Sequence, residues 1–317
     1  MNLGPDVVAA YAPVVRFHEN EQMFPCSIEW LLESSTLRSH SDPKLSITSP
    51  TQLDLEIHSG EAVFVEVNPS QYGGEVSEPG GVTAPMYYAV QQYADVLEVS
   101  YVMLYAFQDG QTVRALPVDN EFDCIVRTVG MHQGDLERLV VTLAPAAGGD
   151  FEVVRVGYEA HGDVRYYSPS EVAWEGSHPV VNPALGGHGN RNLRAEGERI
   201  VDDEVPWVVA ITSNVSDSGL AWRPDVFKRL GLDASGTPVS DQVWAAFDGR
   251  LGVAQHNDVE SATHFNGSGL DFWEWAYVSS VGTIAELLGL LPPSAVEGNG
   301  PRGPAGRAWV RQPAAGP

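Results

Sequence analysis

The chain has 317 residues, 43% of them hydrophobic and 19% charged, which is enough apolar material for one large all-β or α/β domain with a true core. Asp and Glu outnumber Lys and Arg by 42 to 18, and the resulting net charge of −24 repels phosphate backbones and anionic lipid surfaces, so nucleic acid is excluded as a partner class. Two cysteines impose no disulfide framework, and no apolar run is long enough for a membrane span.

In chain order, the opening "MNLGPDVVAAYAPVV" lacks a basic region followed by an apolar one, so a cytoplasmic protein is expected. "CSIEWLLESS" (Cys26–Ser35) places Ile28, Leu31 and Leu32 at helical spacing. Strands are predicted over "EAVFVEV" (Glu61–Val67), "VLEVSYVMLYAF" (Val96–Phe107), "LERLVVTLA" (Leu136–Ala144), "FEVVRVGYEA" (Phe151–Ala160), "DVRYYSP" (Asp163–Pro169) and "PWVVAITS" (Pro206–Ser213). Turn signals such as "PAAGGD" and "AHGD" separate them. "RPDVFKRLGL" (Arg223–Leu232) reads as a short amphipathic turn, and "EWAYVSSVGTIAELLGLLPP" (Glu274–Pro293) as a long helix stopped by two prolines. The expected fold is mainly β: a two-sheet β-sandwich with a few peripheral helices and a long C-terminal helix. Residues 1–297 form one domain in this reading, and the Gly/Pro/Ala-rich 298–317 a terminal strap or tail. Trp222, Trp244, Trp273 and Trp275 crowd the C-terminal third, as core residues or as the lining of an apolar pocket.

The most informative stretch is "VGMHQGDLERLVVTLA" (Val129–Ala144). Residues i and i+2 of a strand share a face, so Asp135 and Glu137 project together while Leu136 and Arg138 point the other way. Their Cα atoms then lie roughly 6–7 Å apart, within reach of one cation. Gly130 and Gly134 flank His132 and permit a turn that brings its imidazole over the two carboxylates. One His and two carboxylates suit Mg²⁺, Ca²⁺ or Mn²⁺ better than a closed structural zinc site. The same spacing also serves a strand whose acidic side faces water.

"GMHQGDLER" resembles the "G-x-H-x-G-D-W-E-H/R" stretch of the vacuolar protein sorting-associated protein 62 family. So, in order, do "APVVRFHENEQMFPCSIEWLL", "VMLYAFQDG", "HPVVNPALGGHGN", and "FDGRLG" with "GPRGPAGRAW", which together span most of the chain. The same motif is similar, more distantly, to the "G-H-R-H-D-W-E" signature of necrosis- and ethylene-inducing proteins. That resemblance implies a two-sheet sandwich with a divalent cation held at His132, Asp135 and Glu137, and it puts Asp109 at a further ligand position. Its "A-H-G-x-Y" element points to His161. The signature's second His is Gly134 here and its Trp is Leu136, and Asp119, Glu121 or Asp123 compete with Asp109 as fourth ligand.

Two functions follow. The first is a divalent-metal-dependent enzyme acting on a small organic substrate by hydrolysis, elimination or cyclisation, with the metal as Lewis acid and His161 or His188 as acid/base. The second is a non-catalytic, cation-dependent module that binds sugars or lipid headgroups. No G-x-S-x-G motif supports a serine nucleophile, and "GGHGNRN" lacks the strand–helix setting of a phosphate loop. Metal analysis of the purified protein should find a stoichiometric divalent cation that both His132→Ala and Glu137→Ala lose; retention by both variants removes the predicted site.

Overall fold

The computed structural model describes residues 4–77, 80–93, 95–115, 124–129, 131–146, 148, 150–160, 162–205, 209–252, 255–256, 297–298 and 300–311. The helix predicted over 274–293, Trp273, Trp275, His161, Asp119, Glu121 and Asp123 lie outside them. The architecture is mainly β, as expected. Its centre is a six-stranded sheet in the order Asp163–Tyr167, Phe151–Ala160, His132–Pro145, Leu97–Gln108, Met86–Gln92, Phe227–Arg229. Neighbours are antiparallel except the last pair.

Alternation decides what each face touches. In Leu97–Gln108 every residue except Glu98 is buried, so both of its faces are covered. Tyr101, Met103 and Tyr105, with Leu139 and Val141 of the neighbouring strand, pack against Val8, Val15, Phe17, Val181 and Trp222. The last four belong to a second sheet in the order Trp174–Glu175, His178–Pro183, Val14–Arg16, Ala221–Trp222, or follow directly from it; Asn190–Arg191 pairs with His178–Pro183. On the opposite face, Val102, Leu104, Ala106 and Leu136 meet Ile28, Leu31, Leu37, Leu55 and Trp244. Each fully buried aliphatic or aromatic side chain contributes about 1.5–3 kcal/mol.

Polar caps pin the layers. Ser27 accepts from Trp30 N at 3.1 Å and starts the Ile28–Glu33 helix, whose Ile28, Leu31 and Leu32 turn inward. Tyr87 reaches Ile28 N at 2.8 Å on that side. On the other, Tyr101 and Tyr158 donate to the carbonyls of Val8 (2.7 Å) and Val180 (2.9 Å). These hydroxyls let aromatic rings bridge layers without an unmet polar group.

The sequence reading of Arg223–Leu232 as an amphipathic turn is corrected. Phe227–Arg229 is extended and runs parallel to Met86–Gln92 as an edge strand. The free backbone groups of that edge outweigh the local helical spacing. Near the C-terminus, Pro304, Ala305, Trp309 and Val310 are buried against the helix-covered face of the central sheet. Among the described residues, no helix is long and apolar enough to cross a membrane.

Three backbones meet beside the start of His132–Pro145. A Cβ on Gly134 would stand 2.1 Å from Leu251 O, one on Gly252 would stand 1.9 Å from Gln133 O, and one on Gly300 would stand 2.2 Å from Gly252 O. Gly134 also has φ +64°, in the left-handed region. Gly134→Ala is therefore expected to destabilise well beyond the roughly 1–2 kcal/mol of left-handed backbone strain. Gly236→Ala, at φ +85° with open space around it, should lose only that strain. Urea unfolding of the two variants checks this; equal losses would show that the contact with Leu251 yields freely.

Candidate functional site

The His132–Pro145 strand sets the site. Leu136 is buried in the helix-covered core, and Arg138 on the same face pairs with Glu159 and lies 5.8 Å over the Trp309 ring. Asp135 and Glu137 sit on the other face, opposite Tyr105 and Met103 in register. They are buried, at 5% and 7% exposure. The predicted parity thus holds, with the acidic side turned into the protein and not toward water.

Gly134 changes the strand's direction. Gln133, just before it, hydrogen-bonds Val67 N, Val67 O and Tyr72 OH on the helix-covered side, whereas Asp135, just after it, faces the second sheet's side. Two residues that a regular strand would place together are split by the left-handed glycine. His132 Nδ1 lies 2.7 Å from Gly134 O, so its ring folds back along its own strand.

His188 is a side-chain partner of Asp135. Its Nδ1 is 3.4 Å from Asp135 Oδ2, its Nε2 is 3.9 Å from Glu21 Oε1, and its ring stacks on Tyr105 at 3.9 Å and 8°. It is fully buried, at 0% exposure, and its backbone is left-handed at φ +51°. A non-glycine residue adopts that conformation only where its surroundings over-determine it, as they do here. The loop is closed by His188 N to Ala184 O at 2.8 Å and Ala184 N to Gly189 O at 3.0 Å.

Glu21 was not among the residues singled out from the sequence. Its Oε1 accepts from Gln22 N and Met23 N, both at 2.9 Å, and its Oε2 accepts from Gly186 N at 3.0 Å. It therefore ties the N-terminal segment to the His188 loop. The available signal was the acidic residue between Pro13 and Pro25 in the opening motif. Asp109 is exposed at the rim, where its N donates to Gly186 O at 2.9 Å, beside the same loop.

The electrostatics are lopsided. Asp135 Oδ1 takes the Leu136 N–H at 2.8 Å, but Glu137 Oε2 is buried without a hydrogen-bond partner, as is His188 Nε2. Burial first, then the neighbouring Asp135 and Glu159, hold the Glu137 carboxyl well above the usual carboxylate range; Arg307 and Arg191 pull it the other way. Burial, followed by the charges of Glu21, Glu137 and Asp135, likewise pushes the Tyr105 phenol up. The three carboxylates thus act on one buried ring.

Asp135, Glu137 and His188 offer the mixed oxygen and nitrogen donors that a divalent cation takes, and Glu137 Oε2 lacks the hydrogen-bond partner whose place such an ion would take. Among the described residues, no three His, Cys, Asp or Glu side chains are gathered as a metal-holding group. His132 and Asp109 lie at the strand start and the rim, each engaged with backbone.

No family model and no curated protein matches the sequence. Similar solved structures include the non-toxic HaNLP3 protein, at 12% identity and TM-score 0.34 over 76% of this chain and 78% of that one. Necrosis and ethylene inducing protein 2 from the causal agent of cocoa's witches' broom disease is 11% identical, with TM-score 0.32 over 72% and 74%. NLPPya in complex with glucosamine is 12% identical, with TM-score 0.37 over 76% and 77%. These belong to the more distant group that the His132–Glu137 motif resembles. Likeness of this strength carries neither ligand nor chemistry to this chain.

Glu137→Leu is expected to stabilise the chelator-treated protein, by on the order of 1–3 kcal/mol, because it removes a buried carboxyl oxygen that lacks a hydrogen-bond partner. Urea unfolding in EDTA reads this out; a loss of stability there would mean that Glu137 is already compensated.

Proposed function

We propose that the chain is a divalent-cation-dependent binding module for small hydroxyl-rich ligands, of the sugar or lipid-headgroup class. The observation that carries this reading is the inward pair Asp135 and Glu137, buried together with Glu137 Oε2 lacking a hydrogen bond, beneath a rim where Asp109 is exposed. In this reading Asp135 and Glu137 hold the ion, with His132, Asp109 and His188 as the neighbouring donors. A bound cation of the Ca²⁺ type leaves oxygen positions for ligand hydroxyls, because it takes about 6–8 oxygens. Glu21 and Tyr105 fix His188 from behind and so keep the carboxylates in place.

Binding is favoured over chemistry by the state of His188. As the described candidate for proton transfer it is wholly enclosed, stacked on Tyr105 and turned to two carboxylates. A general acid or base must come within hydrogen-bond reach of the ligand. The metal-assisted enzyme reading therefore turns on His161.

Calorimetry on EDTA-stripped protein tests the proposal. Ca²⁺, Mg²⁺ and Mn²⁺ are titrated first. Glucosamine and mannosamine, the sugars of two NLPPya complexes, follow together with glycerophosphoinositol. Ligand binding is expected only with a cation present, and Asp135→Asn is expected to lose both events. Binding of ligand at full strength in EDTA would overturn the reading.

A further inference from the structure

Glu137 Oε2 and His188 Nε2 are not the only buried polar atoms left without hydrogen-bond partners. Asn190 is 1% exposed, and neither its Oδ1 nor its Nδ2 has a hydrogen-bond partner. A buried carboxamide normally fills most of its bonding capacity, because each unmet donor or acceptor has lost water without replacement. Here a whole amide is unmet, on a short strand that packs against the strand of Asp135 and Glu137.

Its place in the chain is specific. Asn190 lies two residues after His188, which touches Asp135, and directly before Arg191, whose charge favours ionised Glu137. The Asn190–Arg191 strand is paired to Asn182–Pro183 and packs on both His132–Pro145 and Phe151–Ala160, the strands beneath the carboxylates. Asn190 itself was not among the candidate ligands read from the motifs.

We infer that Asn190 is a further cation-holding residue of this site, giving a neutral amide oxygen to the ion that Asp135 and Glu137 hold. The inference rests on the cation reading above. Its chemistry is complementary. Two carboxylates already match the charge of a divalent ion, so a further ligand serves best if it is uncharged. Amide oxygens are ordinary Ca²⁺ ligands, and they raise the coordination number without adding repulsion between anions. The alternative occupant, an enclosed water bridging Asn190 to its surroundings, would leave cation affinity indifferent to this side chain.

The test is Ca²⁺ calorimetry with parallel thermal melting on the EDTA-stripped full chain, for wild type, Glu137→Gln, Asn190→Ala and Asn190→Asp. Wild type should bind and melt higher with Ca²⁺, and Glu137→Gln should lose both responses. Asn190→Ala should weaken Ca²⁺ binding tenfold or more while its melting in EDTA stays at or above that of wild type, since it removes an unmet polar group. Asn190→Asp restores an oxygen and should bind at least as tightly as wild type. If Asn190→Ala binds like wild type while Glu137→Gln does not, Asn190 holds no cation and the cation reading stands. If Asn190→Asp is as weak as Asn190→Ala, the loss comes from packing and the inference fails. If wild type binds none of Ca²⁺, Mg²⁺ and Mn²⁺, the cation reading falls and this inference falls with it.

Discussion

The pairing of Leu97–Gln108 with His132–Pro145 governs the rest of the molecule, because both faces of this ladder are covered. In a sheet with one wet face, an acidic residue has somewhere cheap to go. Here parity offers only two interiors. Leu136 takes one and is well placed, so Asp135 and Glu137 are committed to the other. Everything around them answers that commitment: the stacked His188, the Tyr105 ring, and Glu21 reaching in from the N-terminal segment. Moving the ladder by one residue would exchange the carboxylates with Leu136 and fill both cores wrongly.

Much of this was legible beforehand, and for a physical reason. Alternation is a local property, so Phe151–Ala160 emerges from the sequence with its observed bounds, and the shared face of Asp135 and Glu137 follows from counting. Ile28, Leu31 and Leu32 likewise announce a helix face that is indeed buried. Which side of a strand is wet is not local, since it depends on what lies above it. The burial of the acidic pair could only be seen once the second sheet was in place. The same limit explains Phe227–Arg229, where a vacant sheet edge overrides the spacing of its own residues.

Glu21 and His188 show a different limit: His188 stands among the sequence candidates as an acid/base, but its place beside the carboxylates, and Glu21 altogether, are not legible there. Each is ordinary in its own neighbourhood, one in an acidic run and one among glycines. They become part of a site because Gly186 N meets a Glu21 oxygen across 165 positions of sequence, which fixes the loop on which His188 rides. The motif around His132 named the carboxylates but not their neighbours, because those come from segments that meet only in the folded chain. His132 itself is the reverse case: conspicuous in the sequence, yet turned along its own strand to Gly134 O.

The tightly packed Gly134, Gly252 and Gly300 carry a consequence for how this chain can vary. Gly252 and Gly300 are in backbone contact, and Leu251 N donates to Pro301 O at 3.0 Å. Just beyond them Gln255–His256 runs antiparallel to Glu297–Gly298. Two segments far apart in sequence are therefore clasped side by side. The clasp also rests on Gly134, whose own Cβ position is blocked by Leu251 O. A larger residue at any of these glycines would therefore push on the strand that carries the acidic pair, so substitutions distant in sequence would reach the candidate site through backbone contact alone.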